Sequence, residues 1–253
     1  MEKKNDIIMM NFTGTYKGQQ FYHGEKISWV EVQELSGCNC YCDDEARITL
    51  EDLIREVPVN GIHFLDSGNY HYVSLLWLKK IQEPFCLLLF DNHTDMQPPA
   101  FGGILSCGGW AAEALEEIPF LQELILAGPD QESFDQVDPD SARKVRFLSR
   151  ETLKKEKKEA LLEFFRNLPE ELPVYISVDK DVLCSEDAST DWSQGDMKLN
   201  ELEEYLKEVF ACRKVLGMDV CGECTHPGME LLNDRGNGKI LTIWKDWRDS
   251  HEK

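Results

Sequence analysis

The sequence has little positive charge and no long apolar run. Lysine and arginine number 27 against 47 aspartates and glutamates in 253 residues, which gives a formal charge of −20 at pH 7. This balance repels phosphate backbones and anionic lipid headgroups, so we expect neither nucleic acid nor a membrane surface as a partner. No segment approaches the ~20 consecutive apolar residues that a membrane-spanning helix needs.

The N-terminal residues also lack the apolar core of a secretory signal, because Met1 to Asp6 are mostly polar and only a short apolar run follows. We therefore expect a cytoplasmic protein. In that compartment, nine cysteines indicate reduced thiols or metal ligands rather than a disulfide framework. The cluster at 38–42 does not have the spacing of a usual zinc knuckle, and the pair at 221–224 lacks a thioredoxin-like setting. We expect reduced thiols, some of which line a pocket.

The chain contains no low-complexity tract and no internal repeat, and its 42% hydrophobic and 29% charged residues are ordinary for a globular protein. We expect a single domain over residues 1–253. Short apolar runs alternate with segments of helical spacing, which predicts a three-layer α/β/α fold with a mostly parallel sheet. The clearest predicted strands are 85–90, 124–127, 174–178 and 214–220, and the predicted helices are 73–81, 111–117, 152–167 and 202–210. Residues 237–250 fit either a closing helix or a strand followed by a helix, and Asn200 with Glu203 predicts the cap of the helix at 202.

Acidic residues and a histidine follow two of these strands. Asp91, His93 and Asp95 come directly after the strand at 85–90, and Asp179 and Asp181 follow the strand at 174–178. Ligands of parallel α/β sheets collect at the carboxyl ends of strands, so both clusters are expected at one edge. Carboxylates packed this closely raise one another's pKa or need a cation. A single ion would leave some of them without a partner, whereas two ions with bridging carboxylates can use them all.

Taken singly, each fragment is also typical of a turn or a helix cap, because aspartate side chains often accept bonds from nearby backbone N–H groups. The segment 66–71 adds a Gly-x-x-His element, Gly68 to His71, upstream of both clusters. The three elements together are more specific than any one of them.

This set resembles the arginase and agmatinase family of ureohydrolases, in which Gly-x-x-His, Asp-x-His-x-Asp and Ser-x-Asp-x-Asp elements occur in this order. The resemblance covers about residues 61–223 and leaves 1–60 as a divergent N-terminal segment. It implies a single α/β domain with a parallel sheet of eight strands.

The resemblance also implies a pair of metal ions. One would be held by His71, Asp91, Asp95 and Asp179, and the other by Asp91, His93, Asp179 and Asp181. Oxygen-rich ligation without thiolate suits manganese better than zinc, although iron, nickel, cobalt and zinc stay open. Two ions ~3.5–4 Å apart can share a hydroxide that attacks an electrophilic carbon. The implied reaction is hydrolysis of a C–N bond in a small guanidino, formimino or related amide compound, with Asp95 orienting the hydroxide proton.

Two departures from the family concern the remaining catalytic groups. The stretch 105–110 lacks the family's proton-shuttle histidine, and Cys107, Trp110 or the distant His226 could take that space. The family glutamate that meets a guanidinium stands one residue late, as Glu223, which could reach the substrate through a bulge. The expected catalytic residues are thus Asp95, Glu223 and His226, and we expect arginine and agmatine to be poor substrates.

Two other functions remain open from the sequence. A metal-binding protein of the same fold without turnover is favoured by the missing histidine and disfavoured by the complete ligand set. A single-metal deacylase shares the broader fold but uses fewer carboxylates. The expected partner is a small-molecule substrate, and the sequence leaves the oligomeric state open, a homo-oligomer included.

Overall fold

The central sheet follows the alternation of apolar runs in the sequence. The computed structural model describes residues 6–98, 102–156 and 158–251. The strands in these ranges are β1 Ile7–Asn11, β2 Ile27–Glu31, β3 Tyr41–Cys42, β4 Ile62–Phe64, β5 Phe85–Phe90, β6 Leu105–Ser106, β7 Leu121–Ala127, β8 Val145–Leu148, β9 Val174–Asp179 and β10 Val215–Cys221. Eight of them form one sheet in the order β2-β1-β4-β10-β9-β5-β7-β8, and every neighbouring pair is parallel. The predicted eight-stranded parallel sheet is confirmed. The short strands β3 and β6 pair antiparallel beside it.

Helices cover both faces of the sheet. They are α1 Asp44–Ile54, α2 Val73–Leu78, α3 Trp110–Glu117, α4 Gln131–Phe134, α5 Pro139–Ala142, α6 Arg150–Glu156, α7 Lys158–Arg166, α8 Leu199–Cys212 and α9 Glu230–His251. Helices α1 to α3 pack in one apolar layer, and α6 to α9 pack in the other. Within the described ranges, no helix is both long enough and apolar enough to cross a bilayer.

Strand β5 shows why the central strands appear in the sequence as continuous apolar runs. Its side chains are buried throughout, and they alternate between the two layers, with Leu88 and Phe90 on the α6–α9 side and Leu87 and Leu89 on the other. A parallel sheet covered on both faces has no polar side, so its central strands need apolar residues at every position. In β5 the polar residues come only after the strand, beginning with Asp91.

Some helix boundaries differ from the expectation. The predicted helix 152–167 is divided into α6 and α7, and residue 157 lies outside the described ranges. The predicted cap at Asn200 is wrong, because α8 begins at Leu199, one residue before Asn200. Lys198 precedes the helix instead, and its backbone N–H donates to Glu201 Oε2 at 2.8 Å. Of the two alternatives for the closing segment, the closing helix is confirmed, because Glu230–His251 form one continuous helix, α9.

Candidate metal centre

The candidate site lies at the carboxyl ends of four adjacent strands, β4, β10, β9 and β5. Register places Phe90 beside Val178 and Cys221 beside Asp179, so the segments that follow β5 and β9 start next to each other. His71 joins them because a short 3-10 turn, Gly68–Tyr70, follows the β4 segment. Topology thus brings together residues that are more than a hundred positions apart.

Two glycines allow the backbone to approach Asp179 closely. A Cβ atom on Gly68 would lie 2.9 Å from Asp179 Oδ2, and one on Gly222 would lie 2.4 Å from Asp179 Oδ1. Gly222 also has a φ of +87°, in the left-handed region that favours glycine. Any larger residue at these positions would displace the carboxylate.

The inner half of the site is formed by His71, Asp91, Asp95 and Asp179. His71 Nδ1 lies 2.9 Å from Asp95 Oδ2, 3.2 Å from Asp91 Oδ2 and 3.6 Å from Asp179 Oδ2. The imidazole is fully enclosed, with 1% of its side chain exposed. Three carboxylates therefore surround one histidine nitrogen in the protein interior.

The outer half is formed by His93, Asp181 and the other oxygen of Asp91. His93 Nδ1 lies 2.8 Å from Asp181 Oδ2 and 3.6 Å from Asp91 Oδ1, and 30% of the His93 side chain is exposed. Asp91 thus presents one oxygen to each half. The structure brings all six predicted ligands together, with Asp91 between the two histidines.

Serine hydroxyls orient both histidines. His71 Nε2 lies 2.9 Å from Ser177 Oγ, and Ser177 Oγ donates to Asp219 Oδ1 at 2.6 Å. His93 Nε2 lies 2.9 Å from Ser193 Oγ. A partner on Nε2 fixes the ring and leaves Nδ1 as the ligand atom, which is the usual arrangement around metal-binding histidines. Sequence reasoning missed the roles of Ser193 and Asp219, although Asp219 lies only four residues before Glu223.

The charges at the site favour the binding of a cation. Burial, together with repulsion from Asp181 and Asp91, raises the pKa of Asp179 to about 7. Burial and the Asp91 charge likewise raise the pKa of Asp181 to about 6. Burial alone would lower the pKa of His93, but its bonds to Asp181 and Asp91 outweigh this and raise it to about 11. The raised pKa values of Asp179 and Asp181 reflect burial and mutual repulsion, and divalent ions would supply the positive charge that favours the ionised carboxylates.

Two buried atoms of the inner half make no hydrogen bond. They are His71 Nδ1 and Asp91 Oδ2, which lie 3.2 Å apart without the geometry of a hydrogen bond. An unsatisfied buried polar atom destabilises a fold by ~1–3 kcal/mol, more when charged. Both atoms belong to the predicted ligand set, and coordination would satisfy them. The residues present therefore fit a metal ion.

A cavity of about 200 Å³ opens beside the site. Its lining includes four of the predicted ligands, His93, Asp95, Asp179 and Asp181. The walls are formed by Cys40, Tyr41, Gly68, Gln97, Ser106, Cys107, Gly108 and Trp192. Among the described residues that line the cavity, none is lysine or arginine. The volume suits a small molecule, and its surface is acidic and aromatic.

Trp110 supports the inner half instead of lining the cavity. Its indole Nε1 donates to Asp95 Oδ2 at 2.6 Å, and its ring centroid lies 4.8 Å from that of His71. Asp95 has a φ of +50°, an uncommon conformation for a residue other than glycine. Trp110 therefore holds one oxygen of a carboxylate whose backbone is itself turned toward the site.

Glu223 is buried, and it is not among the residues that line the cavity. Its oxygens form a buried ion pair with Lys180 and accept from Gln19, Asn233 and Asn237, the last three at 2.7, 3.0 and 2.7 Å. Gly222, the residue before Glu223, packs against Asp179. The Glu223 side chain is turned toward Asn233 and Asn237 of α9.

His226 lies at the surface. Its side chain is 78% exposed, its Nδ1 is 3.4 Å from Asp191 Oδ1, and Cys224 Sγ is 3.7 Å away. It is not among the residues that line the cavity. The structure thus brings Asp95 into the site and places Glu223 and His226 outside it.

All nine cysteines are free thiols. Cys40 and Cys107 line the cavity, in agreement with the expectation that some thiols face a pocket. Cys221 lies beside the inner half, where its Sγ is 3.2 Å from Asp179 Oδ2.

Several known proteins are similar to this chain in sequence or in fold. The sequence model of the arginase family matches residues 13–224. A protein of Thermotoga maritima described as uncharacterized is 31% identical over 221 residues, which cover 86% of this chain and 79% of that protein. Proclavaminate amidinohydrolase of Streptomyces clavuligerus has a similar structure, with a TM-score of 0.71 and 15% identity over 96% of this chain and 92% of that one. A formiminoglutamase of Trypanosoma cruzi, solved with Mn²⁺, gives a TM-score of 0.68 and 14% identity over 96% and 93%.

Proposed function

Because the chain belongs to the arginase family, we propose that it is a hydrolase with two divalent metal ions that cleaves a C–N bond in a small guanidino, formimino or related amide compound. The observation that carries this proposal is the convergence of two imidazole Nδ1 atoms and four carboxylates beside a cavity of about 200 Å³. Six ligands with a shared Asp91 suit a pair of ions better than one ion.

The ligands divide between the two halves. The inner ion would be held by His71, Asp91, Asp95 and Asp179, and the outer ion by Asp91, His93, Asp179 and Asp181. Bound there, two divalent ions would acidify a water molecule and stabilise the negative charge that develops on the substrate. The oxygen-rich ligand set favours manganese.

Asp95 is the protein group that we propose to handle the proton of the attacking water. It lines the cavity, and Trp110 Nε1 fixes its Oδ2, which leaves Oδ1 to orient the water and accept its proton. We propose that Glu223 and His226 do not contact the substrate, since the first is saturated with buried partners and the second is exposed outside the cavity.

The described cavity offers no good acid to protonate the leaving amine of a guanidine. Its walls offer the thiols of Cys40 and Cys107 and the phenol of Tyr41 in place of a second histidine. Burial raises the pKa of the Cys107 thiol, which makes it a poor acid at neutral pH. General acid catalysis is typically worth ~10²–10⁴ in rate, so substrates whose leaving amine needs strong protonation would be slow.

The charge of the walls narrows the substrate class further. The described lining residues include no lysine or arginine that could pair with a substrate carboxylate. Such a group would lose its hydration without gaining a cationic side chain as partner. A neutral or cationic substrate can instead lie against Tyr41 and Trp192, because aromatic faces attract cations.

The test is a screen of manganese-loaded protein for release of urea, ammonia or formamide. Guanidino, formimino and amide compounds should be offered in pairs that differ only by a carboxylate, such as agmatine and arginine. We expect the carboxylate-free member of each pair to be the better substrate and arginine to be poor. Arginine turnover at ordinary enzymatic rates, ~1–10³ per second, would contradict the cavity argument.

One other function is favoured by a specific observation. His93 is the sole imidazole among the described residues of the cavity lining, and it belongs to the ligand set, so a metal-binding protein without turnover is the second candidate. Elemental analysis of dialysed, manganese-loaded protein separates the cases. Two ions per chain with turnover supports the hydrolase, two ions without turnover of any compound supports the second candidate, and one ion or fewer contradicts both.

A further inference from the structure

Cys221 is a buried thiol at the end of β10 that the proposed reaction does not use. It is completely enclosed, and its neighbour in the sheet register is Asp179. Its Sγ lies 3.2 Å from Asp179 Oδ2. One ligand atom each from His71, Asp179 and Cys221 lie within 4.8 Å of one another, which is close enough for one ion to reach all three.

A second observation points into the same space. His71 Nδ1 is buried and makes no hydrogen bond, and its Nε2 is already held by Ser177. The free nitrogen lies 3.6 Å from the same Asp179 Oδ2 that the Cys221 thiol contacts. The Cys221 thiol and His71 Nδ1 therefore both lie beside Asp179 Oδ2, which belongs to the inner half of the site.

We propose that Cys221 is a further ligand of the inner half and supplies a thiolate to the ion held by His71 and Asp179. This inference rests on the proposed dimetal centre. On binding, the S–H bond breaks, a sulfur–metal bond forms and the proton leaves to solvent, with no change of oxidation state. Metal binding to cysteine releases protons in this way in general.

The thiolate makes the two halves chemically different. The outer half offers an imidazole and carboxylates, which suit manganese, whereas a thiolate shifts the inner half toward softer ions such as Zn²⁺, Fe²⁺ or Co²⁺. We expect the inner half to take a softer ion when several metals compete, and the outer half to accept Mn²⁺. A centre with two different ions follows from this arrangement.

The alternative is that Cys221 only packs the interior and donates a weak hydrogen bond to Asp179. A serine can keep such a bond, but it cannot give the spectroscopic signature of a thiolate ligand. Cys221→Ser is therefore the informative variant. Cys107→Ser, in the cavity wall, and Cys224→Ser, three residues from Cys221, are matched controls.

The experiment is a Co²⁺ titration of the full chain, followed by optical absorption in the near ultraviolet and by elemental analysis. We expect a sulfur-to-cobalt charge-transfer band in the natural protein that is lost in Cys221→Ser and kept in both controls. A band that persists in Cys221→Ser, or two bound Co²⁺ without a band, would overturn the thiolate ligand and leave the dimetal centre standing. Failure to bind Co²⁺ at all would overturn the dimetal centre itself.

X-ray absorption of the zinc-loaded natural protein gives a reading that needs no Cys221 variant to fold. We expect a sulfur neighbour at ~2.3 Å from zinc, the usual Zn–S distance. The same signal should remain in the Cys107→Ser and Cys224→Ser proteins. A zinc environment of nitrogen and oxygen alone would contradict the proposal.

Discussion

The inner and outer halves of the candidate metal centre share one arrangement of serine, histidine and carboxylates, but they differ in exposure to solvent. In each, a serine meets Nε2 of a histidine, while Nδ1 faces Asp91 and at least one other carboxylate. His71 is 1% exposed and supported by Trp110, whereas 30% of His93 is exposed beside the cavity. Interactions strengthen where water is excluded. We therefore expect the inner ion to exchange slowly and the outer ion to meet solvent and substrate.

The largest expected effect comes from the residue that the halves share. Asp91→Asn removes charge from both histidines at once, so we expect loss of turnover and of the two-ion stoichiometry. The thermal stabilisation by manganese should disappear as well, because an ion stabilises the native state only as far as it binds. Activity assays, elemental analysis and melting curves with and without chelator measure this.

Asp246→Asn, at an exposed position on α9, is the matched control for the Asp91 variant. It should keep both ions and the full metal-dependent shift in melting temperature. If Asp91→Asn lowered the melting temperature equally with metal and with chelator, Asp91 would be a packing residue, and the two halves would not share a ligand.

The next effect separates the halves. We expect His93→Asn to keep about one ion per chain and to change stability in chelator little, because the ring is partly exposed. His71→Asn should lose the inner ion and also destabilise the metal-free protein by ~1–3 kcal/mol, since it disturbs buried partners, Ser177 among them. Elemental analysis and chemical denaturation in chelator compare the two. Equal effects of the two variants in both measurements would show that the halves do not differ.

The serines give a smaller and graded test. A residue that orients a metal ligand is typically worth ~10–100-fold in metal affinity, and we expect Ser177→Ala to fall in this range. Ser177 links His71 to the buried Asp219, whereas Ser193 meets a partly exposed ring. Ser193→Ala should therefore lose less affinity. Competition with a metal indicator measures both variants, and a larger loss in Ser193→Ala would reverse the assignment of inner and outer halves.

The sheet and the grouping of five of the six predicted ligands could be predicted from the sequence for a simple reason, whereas His71 came from the family resemblance. Parallel strands buried on both faces appear as apolar runs, and their carboxyl ends share one edge. Asp91 and Asp179 follow β5 and β9 directly, and β5 and β9 are neighbours in the sheet. Local sequence therefore carried enough information to bring these side chains together.

The surroundings of Glu223 could not be predicted in this way. Its partners Gln19, Asn233 and Asn237 come from both ends of the chain, and only the tertiary structure brings them together around Lys180. A shifted glutamate in the sequence is compatible with a substrate contact or with a buried ion pair. The close fit of Gly222 against Asp179 decides the direction of the chain and hence of the glutamate.

The smallest expected effect concerns a third histidine, His63. It separates the effect of burial on a histidine pKa from the effect of nearby carboxylates. His63 is buried like His71, but it stacks on Trp77 at 3.7 Å and its Nδ1 lies 3.1 Å from the Tyr175 hydroxyl. Burial lowers the pKa of His63 from 6.5 to about 3, whereas bonds to carboxylates raise that of His93 to about 11. Burial alone thus keeps an imidazole neutral, and the site's carboxylates reverse this.

The consequence of the His63 shift is a loss of stability in acid. Below pH 6.5 the unfolded chain binds a proton at His63 that the folded protein refuses until about pH 3, so the stability that neutral His63 contributes falls as the pH falls through this window. Relative to His63→Phe, which keeps an aromatic ring on Trp77 and cannot titrate, we expect the natural protein to lose up to ~1.4 kcal/mol per pH unit. Denaturation in chelator at pH 7, 6 and 5 measures the difference. Parallel stability curves for the natural protein and His63→Phe would mean that His63 titrates normally, and that burial does not distinguish the imidazoles of this protein.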